Sequence, residues 1–207
     1  MIAVVDYGLG NLGSIANMLK RVGAAASIVT SPELLANADA IILPGVGAFD
    51  EGMGRLRGGN WIPSLETEIF QKRKPLLGIC LGMQLLMNSS EEGVSQGLGW
   101  ISGRAIRFRF PEAVSLPIPH MGWSRVRPCR DKSLFQNLDE DHGFYFVHSY
   151  HVTCQDGNDI LATTDYGCEF VSAVQRGNIM GVQFHPEKSH KHGMNLFQRF
   201  VEMKSPC

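Results

Sequence analysis

Cys80 lies within Gly78-Ile79-Cys80-Leu81-Gly82, a G-x-C-x-G pentapeptide between an apolar run and a segment of helical spacing. In a strand-to-helix turn of this form the central residue is held in a strained backbone conformation and projects above the sheet as a nucleophile. The flanking glycines remove Cβ atoms that would clash with the neighbouring strand and helix. Unpaired N–H groups at the head of the following helix favour negative charge, on a sulfur and on an oxyanion formed beside it. The pentapeptide alone leaves open a buried structural cysteine at a tight turn.

A thiol nucleophile needs a base, and His185-Pro186-Glu187 supplies one with a carboxylate at hand. The stretch Asn178 to Phe184 reads as a strand. If extended backbone continues beyond it, His185 and Glu187, two apart, share a face, and Pro186 restrains the chain between them. A carboxylate on one imidazole nitrogen fixes the tautomer and leaves the other to handle the thiol proton. Both segments sit at carboxyl ends of strands, where open α/β sheets place their ligands, so residues about a hundred apart in sequence can converge. Cys80, His185 and Glu187 together predict acyl transfer through a thioester.

Pro44-Gly45-Val46-Gly47-Ala48-Phe49 follows another apolar run, and Gly45 and Gly47 let backbone N–H groups come close to a substrate. With the N–H of Leu81, the Gly45-Val46-Gly47 segment is a candidate oxyanion hole; a simple strand-to-helix turn is the plainer alternative. Gln84, four residues after Cys80, falls one helical turn on, where its amide can reach a bound amino acid.

These residues require an alternating scaffold. Ile2 to Asp6, Ser27 to Thr30, Ala40 to Leu43 and Leu76 to Ile79 read as strands, and Leu12 to Val22 as a helix. Ser31-Pro32-Glu33 reads as the start of a second helix, with an N-cap and proline at its first position. Residues 97 to 184 are strand-rich, with turn signals at Asp156-Gly157 and Arg176-Gly177-Asn178, and Ser189 to Lys204 reads as a closing helix. The expected fold is α/β. It is a single domain over 1–207 with a central, mostly parallel sheet flanked by helices and additional antiparallel strands in the second half.

Composition narrows the partners. Of 207 residues, 44% are hydrophobic and 19% charged, and the 19 basic and 20 acidic residues leave a net charge of -1 without long runs. No footprint for nucleic acid or an anionic membrane follows from that. The amino-terminal Met-Ile-Ala-Val-Val-Asp carries no secretory pattern and no segment approaches membrane-spanning length, so a cytoplasmic protein is expected. The five cysteines are irregularly spaced with no C-x-x-C, which argues against a disulfide framework or a zinc site.

The chain resembles the class I glutamine amidotransferases, a flavodoxin-like fold family, over essentially its whole length. The resemblance rests on Asp6-Tyr7-Gly8-Leu9-Gly10-Asn11-Leu12, Pro44-Gly45-Val46-Gly47, Gly78-Ile79-Cys80-Leu81-Gly82-Met83-Gln84, His120-Met121-Gly122-Trp123 and Gly181-Val182-Gln183-Phe184-His185-Pro186-Glu187-Lys188-Ser189. The proline-glycine loop and the His-Met-Gly-Trp segment are more particular to the branch whose glutaminase is a separate subunit. That resemblance implies glutamine as substrate, Cys80 as the acylated nucleophile, His185 as base and acid, and Glu187 as its orienter. It also implies that Gln84 and the backbone around Gly45, Gly47, Ser149 and Tyr150 hold the glutamine. No cofactor is implied. The implied partner is a cyclase subunit in a heterodimer, a (β/α)₈ barrel that uses the ammonia to form imidazole glycerol phosphate and an aminoimidazole ribonucleotide in histidine biosynthesis. Met121, Trp123 and the first glycine loop are the candidate contacts. A paralogue feeding another synthase, such as one amidating sugars for surface polysaccharide, and a stand-alone cysteine hydrolase are the alternatives.

Other patterns compete. Gly8-Leu9-Gly10-Asn11-Leu12-Gly13 matches G-x-G-x-x-G with Glu33 further on, but Glu33 falls in the first turn of a helix instead of ending a strand, which disfavours a dinucleotide site. His148 with His151 and His190 with His192 have spacings that point side chains apart on a strand and a helix respectively, so no metal site is expected.

Overall fold

The computed structural model describes residues 1–130, 134–136 and 143–203. The chain opens as β1 (Ile2–Val5), α1 (Leu12–Arg21), β2 (Ala26–Val29), β3 (Ala40–Gly45), α2 (Phe49–Gly58), α3 (Trp61–Glu66), β4 (Leu76–Cys80) and α4 (Leu81–Leu85). It continues through β5 (Ser89–Ser90), β6 (Gly103–Arg107), β7 (His120–Ser124), β8 (Arg127–Pro128), β9 (Phe144–His148), β10 (Tyr150–Cys154), β11 (Ile160–Asp165), β12 (Glu169–Arg176) and β13 (Ile179–Val182), and ends in α5 (His190–Glu202).

The main sheet runs β2-β1-β3-β4-β13-β12-β10-β6-β5, with β11 joining β12 and β8 joining β11. From β2 to β13 the pairings are parallel, and those of β12 with β13, β10 and β11 are antiparallel. Strand β1 shows why both faces are covered: Ile2 and Val4 turn to one apolar layer, Ala3 and Val5 to the other, and all four are fully buried. One layer holds Phe49 and Met53 of α2 with Leu65 of α3; the other holds Ile15 and Leu19 of α1 with Leu196, Phe197 and Phe200 of α5. A second, two-stranded antiparallel sheet, β7 with β9, stands beside the carboxyl ends of the parallel strands.

The helix expected from Ser31-Pro32-Glu33 is only a six-residue 3₁₀ turn, Pro32–Asn37, and Ser31 makes no side-chain cap bond. Only residues 30–39 connect β2 to β3, and this short connection is closed by the 3₁₀ turn, the tighter form that chains use in short pieces. The strand expected over Asn178–Phe184 stops at Val182, and Pro186–Lys188 is a 3₁₀ turn where extended backbone was expected. Proline at the first position of a turn has its φ already set for that conformation, which ends the strand early. The closing helix starts at His190, and Lys204, its expected last residue, lies outside the described residues.

Candidate active site

Cys80 is the last residue of β4 and the residue before α4, with φ 54° and ψ -110°, a conformation that L residues avoid. Its flanking glycines explain how the chain tolerates this. A Cβ on Gly82 would lie 1.9 Å from the Leu43 carbonyl oxygen of β3, and one on Gly78 would lie 2.8 Å from the backbone of Gly82. Strand, elbow and helix therefore touch backbone to backbone, and the sulfur is aimed upward by contacts no larger residue could make.

His185 follows β13, its N–H donating to Tyr145 O at 2.8 Å and its own carbonyl accepting from Ser189 Oγ at 2.6 Å. The ring's Nδ1 bonds Glu187 Oε1 at 2.8 Å, both side chains being buried. Glu187 reaches back across the 3₁₀ turn to do this, so the pair is made by a turn and not by two same-facing residues of a strand. Nε2 has no partner of ordinary hydrogen-bond geometry, yet it faces Cys80 closely enough to be electrically coupled to it. Burial works against a charged ring, but Cys80 and then Glu187 outweigh it and push the imidazole up to about 10.

A cleft of about 400 Å³ opens above the sulfur, a volume that suits an amino acid. Of the residues expected at the site, Val46, Gly47, Leu81, Gln84, Ser149 and Tyr150 line it together with Cys80 and His185. Gly47 has φ +106°, which favours glycine. Gly45 does not line the cleft: it is buried beneath, level with Cys80 in the β3–β4 register, with Tyr7 Oη, Leu81 Cβ and the N of Gly82 crowding the place a Cβ would take. Tyr7 donates to Pro44 O at 2.7 Å, and burial, with Cys80 nearby, raises its hydroxyl well above the tyrosine range. Met121 and Trp123 lie outside the cleft, 61% and 52% exposed on β7, with the Trp123 ring stacked nearly parallel on His190 at 5.4 Å.

Glu92, Pro119, Val147 and His148 also line the cleft. Glu92 is the only carboxylate among the lining residues; its Oε2 accepts from Phe49 N at 2.8 Å, at the head of α2. Asp50 holds the same loop by accepting from the N–H groups of Val94 and Ser95 at 3.0 and 2.9 Å, which keeps its carboxyl low. No spacing rule marks an isolated acid in a loop, so sequence reading passes over Glu92.

His148 and His151 are not on one strand as their spacing suggested. The turn at Ser149 places them at the end of β9 and within β10, and both rings pack on Phe108, at 5.2 and 4.7 Å. His148 Nδ1 must donate to Tyr150 O, at 2.8 Å, because a carbonyl only accepts. Its Nε2 then accepts from His120 Nδ1 at 3.1 Å, and His120 Nε2 accepts from Ser124 Oγ at 2.9 Å. Burial lowers both rings, His148 to about 3 and His120 to about 4, so this chain of imidazoles is neutral. The glycines at the amino-terminal loop have a packing role: Gly10, at φ +114°, lets that loop lie against Pro44, and Glu33 sits in the 3₁₀ turn after β2.

Comparison with known proteins follows the same outline. The sequence profile of the family described as Glutamine amidotransferase class-I matches residues 3–203. The chain is similar to imidazole glycerol phosphate synthase subunit HisH 2 of Methanococcus maripaludis, at 52% identity over 98% of this chain and 99% of that one. It is also similar to the protein of the same name from Pseudomonas aeruginosa, at 49% identity over 98% of this chain and 100% of that one. Among solved structures, one titled glutamine amidotransferase superposes with a TM-score of 0.71 at 20% identity, covering 97% of each chain. A chain of PurLQS from Thermotoga maritima gives 0.69 at 19%, again covering 97% of each; at such identity these two speak for the fold alone.

Proposed function

We propose, since this chain belongs to the class-I glutamine amidotransferases, that it is a glutaminase subunit releasing ammonia from glutamine for a cyclase that forms imidazole glycerol phosphate. The observation that carries the chemistry is the strained Cys80 elbow facing an imidazole that is itself held by Glu187, at the floor of a cleft of amino-acid size. Cys80 Sγ attacks the side-chain amide carbon of glutamine; an S–C bond forms, the thiol proton is carried by His185, and the C–N bond breaks as that proton moves to the leaving nitrogen. Ammonia departs. Water, losing a proton to His185, then attacks the glutamyl thioester, the C–S bond breaks, and His185 returns the proton to sulfur as glutamate leaves. Glu187 keeps Nδ1 protonated through both halves.

Substrate recognition follows from the cleft lining. The nitrogen of Gln84 is engaged by Tyr150 O at 3.1 Å and Gln183 Oε1 at 3.0 Å, so its oxygen is what it offers the substrate. That oxygen and the Glu92 carboxylate suit the α-ammonium of glutamine, and the backbone of Ser149 and Tyr150 suits its α-carboxylate. The Gly45-Val46-Gly47 segment and the N–H of Leu81 serve the oxyanion, with Gly45 acting from below as the close packing that lets the loop sit there.

The ammonia acceptor is a separate cyclase subunit in a heterodimer, and the exposed Met121 and Trp123 of β7 are the contacts it meets. No helix among the described residues is long and apolar enough to cross a membrane; a cytoplasmic location is part of the proposal and rests on the similarity to the synthase subunits. The test is glutamate release from glutamine by the chain alone and with the cyclase plus its nucleotide substrate. Strong stimulation abolished by Cys80→Ala supports the proposal. Full-rate hydrolysis without a partner contradicts the synthase role.

A further inference from the structure

We propose that Gln183 is a further catalytic residue: its buried amide donates to the Cys80 sulfur while its oxygen ties that sulfur to Gln84 at the substrate side. The placement comes from strand register. Val182 pairs with Ile79 across β13 and β4, so Gln183 comes level with Cys80, on the side opposite Gly45. Its backbone N–H is anchored on Ser172 O at 2.9 Å. Its Nε2 lies 3.7 Å from Cys80 Sγ and its Oε1 accepts from Gln84 Nε2 at 3.0 Å, within a side chain that is 0% exposed.

Burying a primary amide is unfavourable unless its polar atoms find partners, and a methionine or leucine would fill the same space without that cost. The partners here are the nucleophile and the residue that faces the substrate, which makes an amide at this position a functional choice. A neutral thiol is a weak acceptor, whereas sulfur that carries charge accepts a much stronger bond. The Gln183 bond is therefore strongest whenever the sulfur carries charge, as the attacking anion and again as it leaves the tetrahedral adduct in thioester hydrolysis. Between these steps, in the thioester, it is weak. An interaction made mainly in the charged states raises the rate with little effect on binding, and no proton leaves the amide in any step.

The proposal rests on the glutaminase reading for the identity of the substrate, but its test does not rest on that alone. Iodoacetamide alkylation of Cys80, located by mass spectrometry on the full chain with and without the cyclase, needs no glutamine. Gln183→Met, which keeps volume and removes the donor, is expected to slow alkylation at pH 7 and to lower kcat in the complex, each by about ten- to a hundredfold. The KM for glutamine should change by less than about threefold. Gln183→Glu keeps an oxygen for Gln84 and turns an acceptor toward the sulfur, so it should slow alkylation at least as much. Alkylation at the wild-type rate in both variants overturns the proposal whatever the glutaminase assay gives. So does a rise in KM of about tenfold with kcat and alkylation unchanged, which would make Gln183 a support for Gln84 only. If the wild-type complex released no glutamate, the proposed function would fall while the alkylation comparison still decided Gln183.

Discussion

Replacing Gly82 with alanine tests the packing that holds the elbow. The new Cβ would lie 1.9 Å from Leu43 O and 2.9 Å from Leu43 C, whereas real Cβ atoms keep at least 3.0 Å. The obstacle is backbone of a central strand, so no side chain can rotate out of the way, and α4 must withdraw from β3 by roughly 1 Å. That movement strips contacts from Leu81, Met83 and Leu85, all buried, and we expect a loss of about 3 kcal/mol or more. For a chain of this size the melting temperature should fall by about 6–12 °C. Cys80 would travel with the helix, and a displacement of about 1 Å costs on the order of a hundredfold in turnover. Gly54→Ala is the control: Gly54 is exposed inside α2 with nothing within 4 Å of a Cβ, so alanine should add about 0.5–1 kcal/mol and leave glutaminase unchanged. Thermal unfolding by circular dichroism and glutamate release with the cyclase give both readouts. A Gly82→Ala protein that melts like wild type and turns over normally would refute the account of the elbow.

Other outcomes follow from the electrostatics and the cleft. His120 and His148 are depressed below the free value, so their contribution is fully present above about pH 6.5 and is lost as pH falls toward about 4 and 3; chemical denaturation across that range should show stability declining with acid. His185 is raised, so its stabilising contact is complete below about pH 6.5 and is lost on approach to about 10, which NMR of the ring should record as an imidazolium through neutral pH. Glu187→Gln removes the charge on Nδ1 and should lower kcat by about a hundredfold or more with KM little changed. Glu92→Gln should instead raise KM for glutamine by about tenfold or more, a result that an unchanged KM would contradict.

Sequence makes the strained elbow at Cys80 legible because it is a local device: two glycines flank a thiol between a strand and a helix, and the backbone takes the expected strained form. The parallel half of the sheet is legible for a similar reason, since β1, β3 and β4 are buried on both faces and read as unbroken apolar runs. His185 and Glu187 are found by residue type, but the reason is a 3₁₀ turn that Pro186 starts, and alternation along a strand plays no part. What stays hidden depends on residues far apart in sequence. Glu92 reaches the cleft because Asp50 and Phe49 hold its loop, and His148 joins His120 only when β7 pairs with β9. Gln183 stands beside Cys80 through sheet register, over a separation that no periodicity records.

The division into two sheets has an evolutionary consequence. Gly45, Cys80 and Gln183 stand side by side on β3, β4 and the end of β13, and a slip of one residue in any of these strands would dismantle the site. Met121 and Trp123 lie exposed on β7, which among the described residues pairs with β9 alone. Exposed side chains on that strand can change without disturbing the β3–β4–β13 register that sets the sulfur. If Met121 and Trp123 meet the cyclase as proposed, chemistry and choice of partner are inherited on different strands.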